Sequence, residues 1–152
     1  MRTMIFSGSF DPPTRGHLDL IRRASALADK LVVAILDNPR KQGRYSVEQR
    51  KQMLERIVSP FQNVEVDCFG GLLADYAARR QAYAIVRGVR NVQDYEYERD
   101  MAHANQMLCG VETVFLLTDP RLSAVSSSVV RELLHFGGDV TKFVPEGILD
   151  LL

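Results

Sequence analysis

The chain carries no net charge: 19 Lys and Arg stand against 19 Asp and Glu. That balance argues against bulk affinity for nucleic acid and against a basic membrane-binding surface, while leaving room for a local positive cleft. Cysteine is scarce. Cys68 and Cys109 have neither a CxxC spacing nor paired histidines, which fits a reduced compartment and leaves a zinc site without ligands. No apolar run approaches the length of a membrane span and no signal-peptide pattern is visible, so the expected location is the cytoplasm. Repeats, low-complexity stretches and linkers are absent too. So are a GK[ST] P-loop, a GxGxxG fingerprint, an HExxH zinc motif and a GxSxG nucleophile elbow.

What is present is alternation. Of the 152 residues, 46% are hydrophobic and 25% charged, ordinary values for a soluble domain with a real core. Short apolar runs predict strands at TMIFSG (3–8), LVVAIL (31–36), VEVDCF (64–69), YAIVRG (83–88) and ETVFLL (112–117). The unbroken run at 31–36 is the kind that a sheet buried on both faces requires. Helical spacing predicts helices from His17 to about Ala28, from Ser46 to about Val58, over 72–80, over 91–108 and over 126–136, with a short final helix from Glu146. Ser46 with Gln49 fits a capping box, and Leu54, Ile57 and Val58 give that helix an inward face. The helical pattern of the fourth helix runs through Tyr95, Met101, Ala102 and Leu108. Strands and helices in this order make β-α-β units. The expected fold is a single-domain α/β Rossmann-like doubly wound sheet of about five parallel strands, spanning 1–152.

In such a sheet a ligand sits beyond the carboxyl ends of the strands, where strand order reverses. Four polar segments follow strand ends: SGSFDPPTRGH, DNPRK, RGVRN and TDPRLSAVSSS. All four are expected at one rim. In the first, Gly8 allows close approach to the backbone, Pro12 and Pro13 stiffen the loop, and Thr14 is a fair N-cap. Gly16 and His17 then lie in a first helical turn, whose free N–H groups and dipole attract phosphate. From position alone, His17 reads equally as a surface residue, Arg40 and Lys41 as a solvated loop, and Ser126, Ser127 and Ser128 as caps. Arg87, ending an apolar strand, demands an anionic partner. Tyr95 and Tyr97 read as core or subunit contacts. Asp11 reads as a turn-stabilising residue before proline ahead of an indirect Mg²⁺ partner.

The segments GSFDPPTRGH, NPRK, RGVRNVQDYEYE and SAVSSSVVRE, in that order, resemble the phosphopantetheine adenylyltransferase family of the nucleotidyltransferase superfamily, with TRGH as its (H/T)xGH signature. The resemblance covers nearly the whole chain. It implies transfer of the adenylyl group of ATP to 4′-phosphopantetheine, giving dephospho-CoA and pyrophosphate, with Mg²⁺. Mapped onto matching positions, it implies that Ser9 touches both the ATP and acceptor phosphates, with Phe10 lending backbone contacts to the nucleotide. His17 would bind the α-phosphate and stabilise the transition state. Lys41, Leu73 and Arg87 would hold the acceptor, with Lys41 on its phosphate. Gly88, Val89 and Arg90 would face ATP, Glu98 would contact the nucleotide, and Leu122, Ser123, Ala124, Val125, Ser126, Ser127 and Ser128 would close over adenine and triphosphate. His17, Lys41 and Arg90 would carry the catalysis. The family implies a homohexamer and feedback by coenzyme A. This chain departs from it at Ser7, where Pro is usual, at Arg15, where Asn is common and a charge is added near the phosphates, and at Leu122, often aromatic.

Other readings share part of the pattern. A cytidylyltransferase or a nicotinate mononucleotide adenylyltransferase would keep TxGH and the serine segment but lack Lys41 together with RGVRN–DYEYE. A non-enzymatic adenine-nucleotide sensor would need the fold without His17 or Lys41. A serine hydrolase built on Ser127 lacks an elbow and an acid–base partner.

Overall fold

The computed structural model describes residues 1–152. Five strands, β1 (Thr3–Gly8), β2 (Lys30–Leu36), β3 (Val64–Phe69), β4 (Ala84–Val89) and β5 (Glu112–Leu117), form one all-parallel sheet in the order β3-β2-β1-β4-β5. Helices α1 (Arg15–Ser25), α2 (Val47–Val58), α3 (Leu73–Arg79), α4 (Val92–Cys109) and α5 (Ser127–His135) connect or follow them.

The apolar runs divide residue by residue between the two faces. Leu31, Val33 and Ile35 join Met4, Phe6 and Val86 beneath α1, α2 and α5. Val32 and Ala34 join Ile5 and Ile85 on the opposite face, against Tyr76 and Ala77 of α3. Side chains alternate along a strand, so only a continuous run can feed both cores. Each fully buried Val, Ile or Leu contributes about 1.5–3 kcal/mol.

The helix starts follow local chemistry. Thr14 accepts from the His17 N–H, Ser46 from Gln49 with the glutamine returning the bond, and Ser126 from Val129. Three expectations need correction. α1 stops at Ser25, with Ala26 as its C-cap. The terminal segment Glu146–Leu151 is a 3-10 helix: it carries Gly147 near its start and closes by the short bond from Ile148 N–H to the Pro145 carbonyl. Helix α4 buries only Asn105; Tyr95, Tyr97, Met101 and Leu108 stay exposed. Its apolar side borders an open channel instead of closing on a core, and Tyr95 and Tyr97 are therefore not core residues.

Strand order reverses between β1 and β4. The chain leaves β1 for α1 on one face and leaves β4 for α4 on the other, which opens a crevice above the two carboxyl ends.

Candidate active site

A cavity of about 370 Å³ occupies that crevice. Its floor is Ser7, Gly8, Arg87 and Gly88 from the ends of β1 and β4, and its walls bring Ser9, Phe10, His17, Arg90, Glu98 and Val125–Ser127 together. The N-termini of α1 and α5 both border it, so two sets of free N–H groups and two positive helix ends serve one space.

The loop after β1 is bent sharply. Phe10 has φ of 51°, a left-handed conformation for a non-glycine residue, and the Asp11–Pro12 peptide is cis. The Phe10 ring is buried and stands edge-on to His17 at 4.8 Å. A Cβ on Gly8 would lie 3.3 Å from that ring, so Gly8 makes room for Phe10. At Gly88 a Cβ would sit 2.3 Å from Leu20 Cδ1, so glycine leaves room for the buried Leu20 side chain in its present position.

His17 is part of its own cap. The Thr14 N–H donates to His17 Nδ1 at 3.0 Å while the His17 N–H donates to Thr14 Oγ1 at 3.2 Å. Nδ1 is thus an acceptor, and the neutral ring carries its proton on Nε2, which has no protein partner. Burial pushes the imidazole down to about 4, helped by the charges of Arg87 and Arg90. At neutral pH the ring offers a hydrogen-bond donor and no charge.

Arg87 has the partner its position demanded. It binds Glu98 side-on through one edge of the guanidinium, Nε to Oε2 at 2.9 Å and Nη2 to Oε1 at 2.7 Å, and its Nη1 donates to the Ser7 carbonyl at 2.6 Å. Ser7 adds a hydroxyl acceptor at 3.1 Å, a contact the usual proline would lack. Glu98, expected on the nucleotide, therefore has both oxygens on Arg87. Arg90 binds Asp94 at 3.0 Å.

The loops are tied to each other at the rim. Asp11 accepts the N–H groups of Arg44 and Tyr45 at 2.9 Å each, consistent with a turn-stabilising role. Ser127 Oγ donates to the Pro12 carbonyl at 2.8 Å, and Arg131 donates to the Asp11 carbonyl at 2.8 Å. Ser126 is the cap of α5.

Two further cavities open off the first. An apolar channel of about 430 Å³ runs past Leu36, Phe69, Leu73, Tyr97, Met101 and Leu108, sharing Ser9, Arg87 and Glu98 with it. A polar hollow of about 260 Å³ holds Lys41, Arg44, Arg50 and Arg131, again sharing Ser9.

The expected residues thus fall into groups. Ser9, Phe10, His17, Gly88, Arg90, Glu98, Val125, Ser126 and Ser127 line the central cavity, Leu73 and Arg87 the channel, and Lys41 the hollow beside it. Val89, Leu122, Ser123, Ala124 and Ser128 line none of the three. Val89 is buried, Leu122 ends the 3-10 turn Pro120–Leu122, and Ser128 Oγ accepts from Arg131. Arg15 turns away as well, donating to the Thr141 carbonyl at 2.8 Å. Arg131, Thr118 and Asp94 line these spaces from segments noted in the sequence but without a role read for them, and Arg50 lies outside those segments. Arg50 left a readable sign: it stands one turn before Leu54 on the inward stripe of α2.

Residues 5–133 match the family model described as cytidylyltransferase-like. A phosphopantetheine adenylyltransferase of Alkaliphilus metalliredigens is 47% identical over 153 aligned positions, covering 100% of this chain and 98% of the relative. This chain belongs to the phosphopantetheine adenylyltransferase family. Relatives of the same name from Desulfatibacillum aliphaticivorans and Natranaerobius thermophilus are 50% and 45% identical, covering 95% and 100% of this chain and 83% and 94% of their own lengths. The family is one of nucleotidyltransferase enzymes, and the α/β sheet with its cavity at the strand reversal is the architecture this chain brings to that chemistry.

The carboxylates of this family member do not fit a resident metal. Asp94 and Glu98 each face an arginine, Asp11 gives both oxygens to backbone N–H groups, and no three His, Cys, Asp or Glu gather anywhere. No helix is long and apolar enough to cross a membrane.

Proposed function

We propose that the protein transfers the adenylyl group of ATP to 4′-phosphopantetheine, giving dephospho-CoA and pyrophosphate, in the cytoplasm and as the homohexamer that its family implies. The observation that carries this reading is the meeting of three cavities at Ser9: a polar one bordered by two helix N-termini, an apolar channel, and a cationic hollow. Those suit a nucleoside triphosphate, a pantetheine arm and the phosphate joining them.

An oxygen of the acceptor phosphate attacks the α-phosphorus of ATP directly. One P–O bond forms, the bond to the β-phosphate oxygen breaks, and pyrophosphate leaves. The nucleophile is already an anion at neutral pH, so no general base is needed and no covalent enzyme intermediate forms. The protein's work is alignment and charge stabilisation. His17 donates from Nε2 to the α-phosphate. Lys41 and Ser9 hold the acceptor phosphate, Arg90 meets the ATP phosphates beside Gly88 and Val89, and the N-terminus of α5 receives the leaving pyrophosphate. Glu98 borders the ATP cavity and orients Arg87, which reaches the acceptor where the channel meets that cavity. The segment 122–128 covers the nucleotide, with Val125 to Ser127 nearest. Leu73 lines the pantetheine path, which is also where coenzyme A would bind as a feedback ligand. Mg²⁺ accompanies ATP as the counter-ion of its phosphates.

The test is an acceptor screen. Purified protein with MgATP should release pyrophosphate with 4′-phosphopantetheine and not with nicotinate mononucleotide. Release with nicotinate mononucleotide alone would reject the assignment.

A further inference from the structure

The hollow beside Lys41 is lined by four cations, Lys41, Arg44, Arg50 and Arg131, against one carboxylate, Asp11. Both Asp11 oxygens are engaged by the backbone N–H groups of Arg44 and Tyr45. Lys41 and Arg44 are exposed and Arg131 is half-buried, tied to the Asp11 carbonyl and 4.0 Å from the Asp11 carboxylate, but Arg50 is buried, 8% exposed.

A buried guanidinium normally faces a carboxylate, because an uncompensated charge away from water is costly. Arg50 has none. Its Nε donates to the Tyr45 carbonyl at 3.1 Å and its Nη1 to the Ser9 carbonyl at 2.7 Å. Those are neutral acceptors: they hold the group's orientation and leave its charge unbalanced. Nη2 donates to no protein atom, and the side chain borders the hollow. The site therefore has a fixed, partly satisfied cation with one open donor edge, lodged behind the residue common to all three cavities. An anion entering the hollow would supply the missing charge.

We infer that Arg50 is a second cationic ligand of the acceptor phosphate beside Lys41, preorganised by the Ser9 and Tyr45 carbonyls. The inference rests on the reading that this hollow receives the acceptor phosphate. Lys41 is exposed on a long side chain whose rotamer freedom opposes binding, whereas Arg50 is already held by two carbonyls.

The experiment measures binding of 4′-phosphopantetheine, of unphosphorylated pantetheine and of ATP by calorimetry, for wild type, Arg50→Gln, Arg50→Lys and Lys41→Ala. Charged hydrogen bonds of this kind are worth about tenfold or more in affinity. Arg50→Gln should weaken 4′-phosphopantetheine about tenfold or more and leave pantetheine and ATP within about twofold; Arg50→Lys should fall between. An equal loss for all three ligands, or none, overturns the inference while Lys41→Ala still weakens the phosphorylated acceptor. Should Arg50→Gln not fold, Arg50→Lys decides: a loss of about threefold or more for the phosphorylated acceptor supports the inference, and wild-type binding overturns it. If wild type binds the phosphorylated and unphosphorylated acceptors equally, the underlying reading of the hollow falls, and the inference with it.

Discussion

The backbone N–H of Thr14 donates to Nδ1 of His17 at 3.0 Å, and this one bond decides what the imidazole can do. It sets the tautomer, aims the ring, and joins the α1 cap to the candidate chemistry. With its proton affinity lowered to about 4 by burial and by Arg87 and Arg90, His17 stays neutral through the physiological range. In the proposed reaction it serves as an N–H donor toward a phosphate, and not as one of the site's cations.

A pH dependence follows. Unfolded, the ring takes up a proton near 6.5; folded, it resists until about 4. Between those values the unfolded chain binds more protons, so stability falls as pH drops from about 6.5 to about 4 and levels off below. The loss is about 3 kcal/mol at most, from the size of the shift. Urea unfolding at pH 7 and pH 5 should show this slope in wild type and not in His17→Gln. The acid limb of kcat/KM attributable to this ring, which reports the free enzyme, should lie near 4; a limb near 6.5 would show an ordinary imidazole.

His17→Ala should lower kcat by about 10²–10³-fold, the usual loss for one transition-state donor. ATP binding should change little. Circular dichroism and a thermal melt should show an intact fold with a modest fall in Tm, because half of the α1 cap is gone. Turnover equally absent from wild type and variant would favour the nucleotide-sensor reading, and full turnover in the variant would remove His17 from the chemistry.

Arg87 and Glu98 test one another. Arg87→Met leaves the Glu98 carboxylate, 12% exposed, unpaired in a wall meant for phosphates. It should cost about 3 kcal/mol or more in stability, and ATP affinity should fall. Adding Glu98→Gln removes that orphan charge, so the double variant should bind ATP better than Arg87→Met alone. Calorimetric titration of wild type and the two variants checks the order.

Gly88→Ala should destabilise by about 1–3 kcal/mol through overpacking, since its Cβ would press within 2.3 Å of Leu20. In a Leu20→Val background the same change should cost less. A double-mutant cycle in urea reads the coupling directly.

The strands and helices were legible because each β-α-β unit announces itself locally: a doubly buried run at 31–36, a capping box at Ser46 and Gln49, a cap at Thr14. The gathering of strand-end loops at one rim followed from order alone. What stayed hidden depends on elements that only the fold brings near each other. Arg87 and Glu98 lie on a strand and the following helix, and nothing in the chain says that they satisfy one another. The demand of Gly88 comes from Leu20, 68 positions earlier. That Tyr97 lines a channel is equally invisible in the chain, because the apolar stripe of a channel wall and that of a core share one period.

The central claim is that one phosphate attacks another while the protein contributes no reactive atom. Adenosine triphosphate made chiral at its α-phosphorus with sulfur and heavy oxygen tests this most directly, read by phosphorus NMR of the dephospho-CoA product. A single in-line displacement predicts inversion at that phosphorus; retention would require an adenylylated enzyme and would contradict the account.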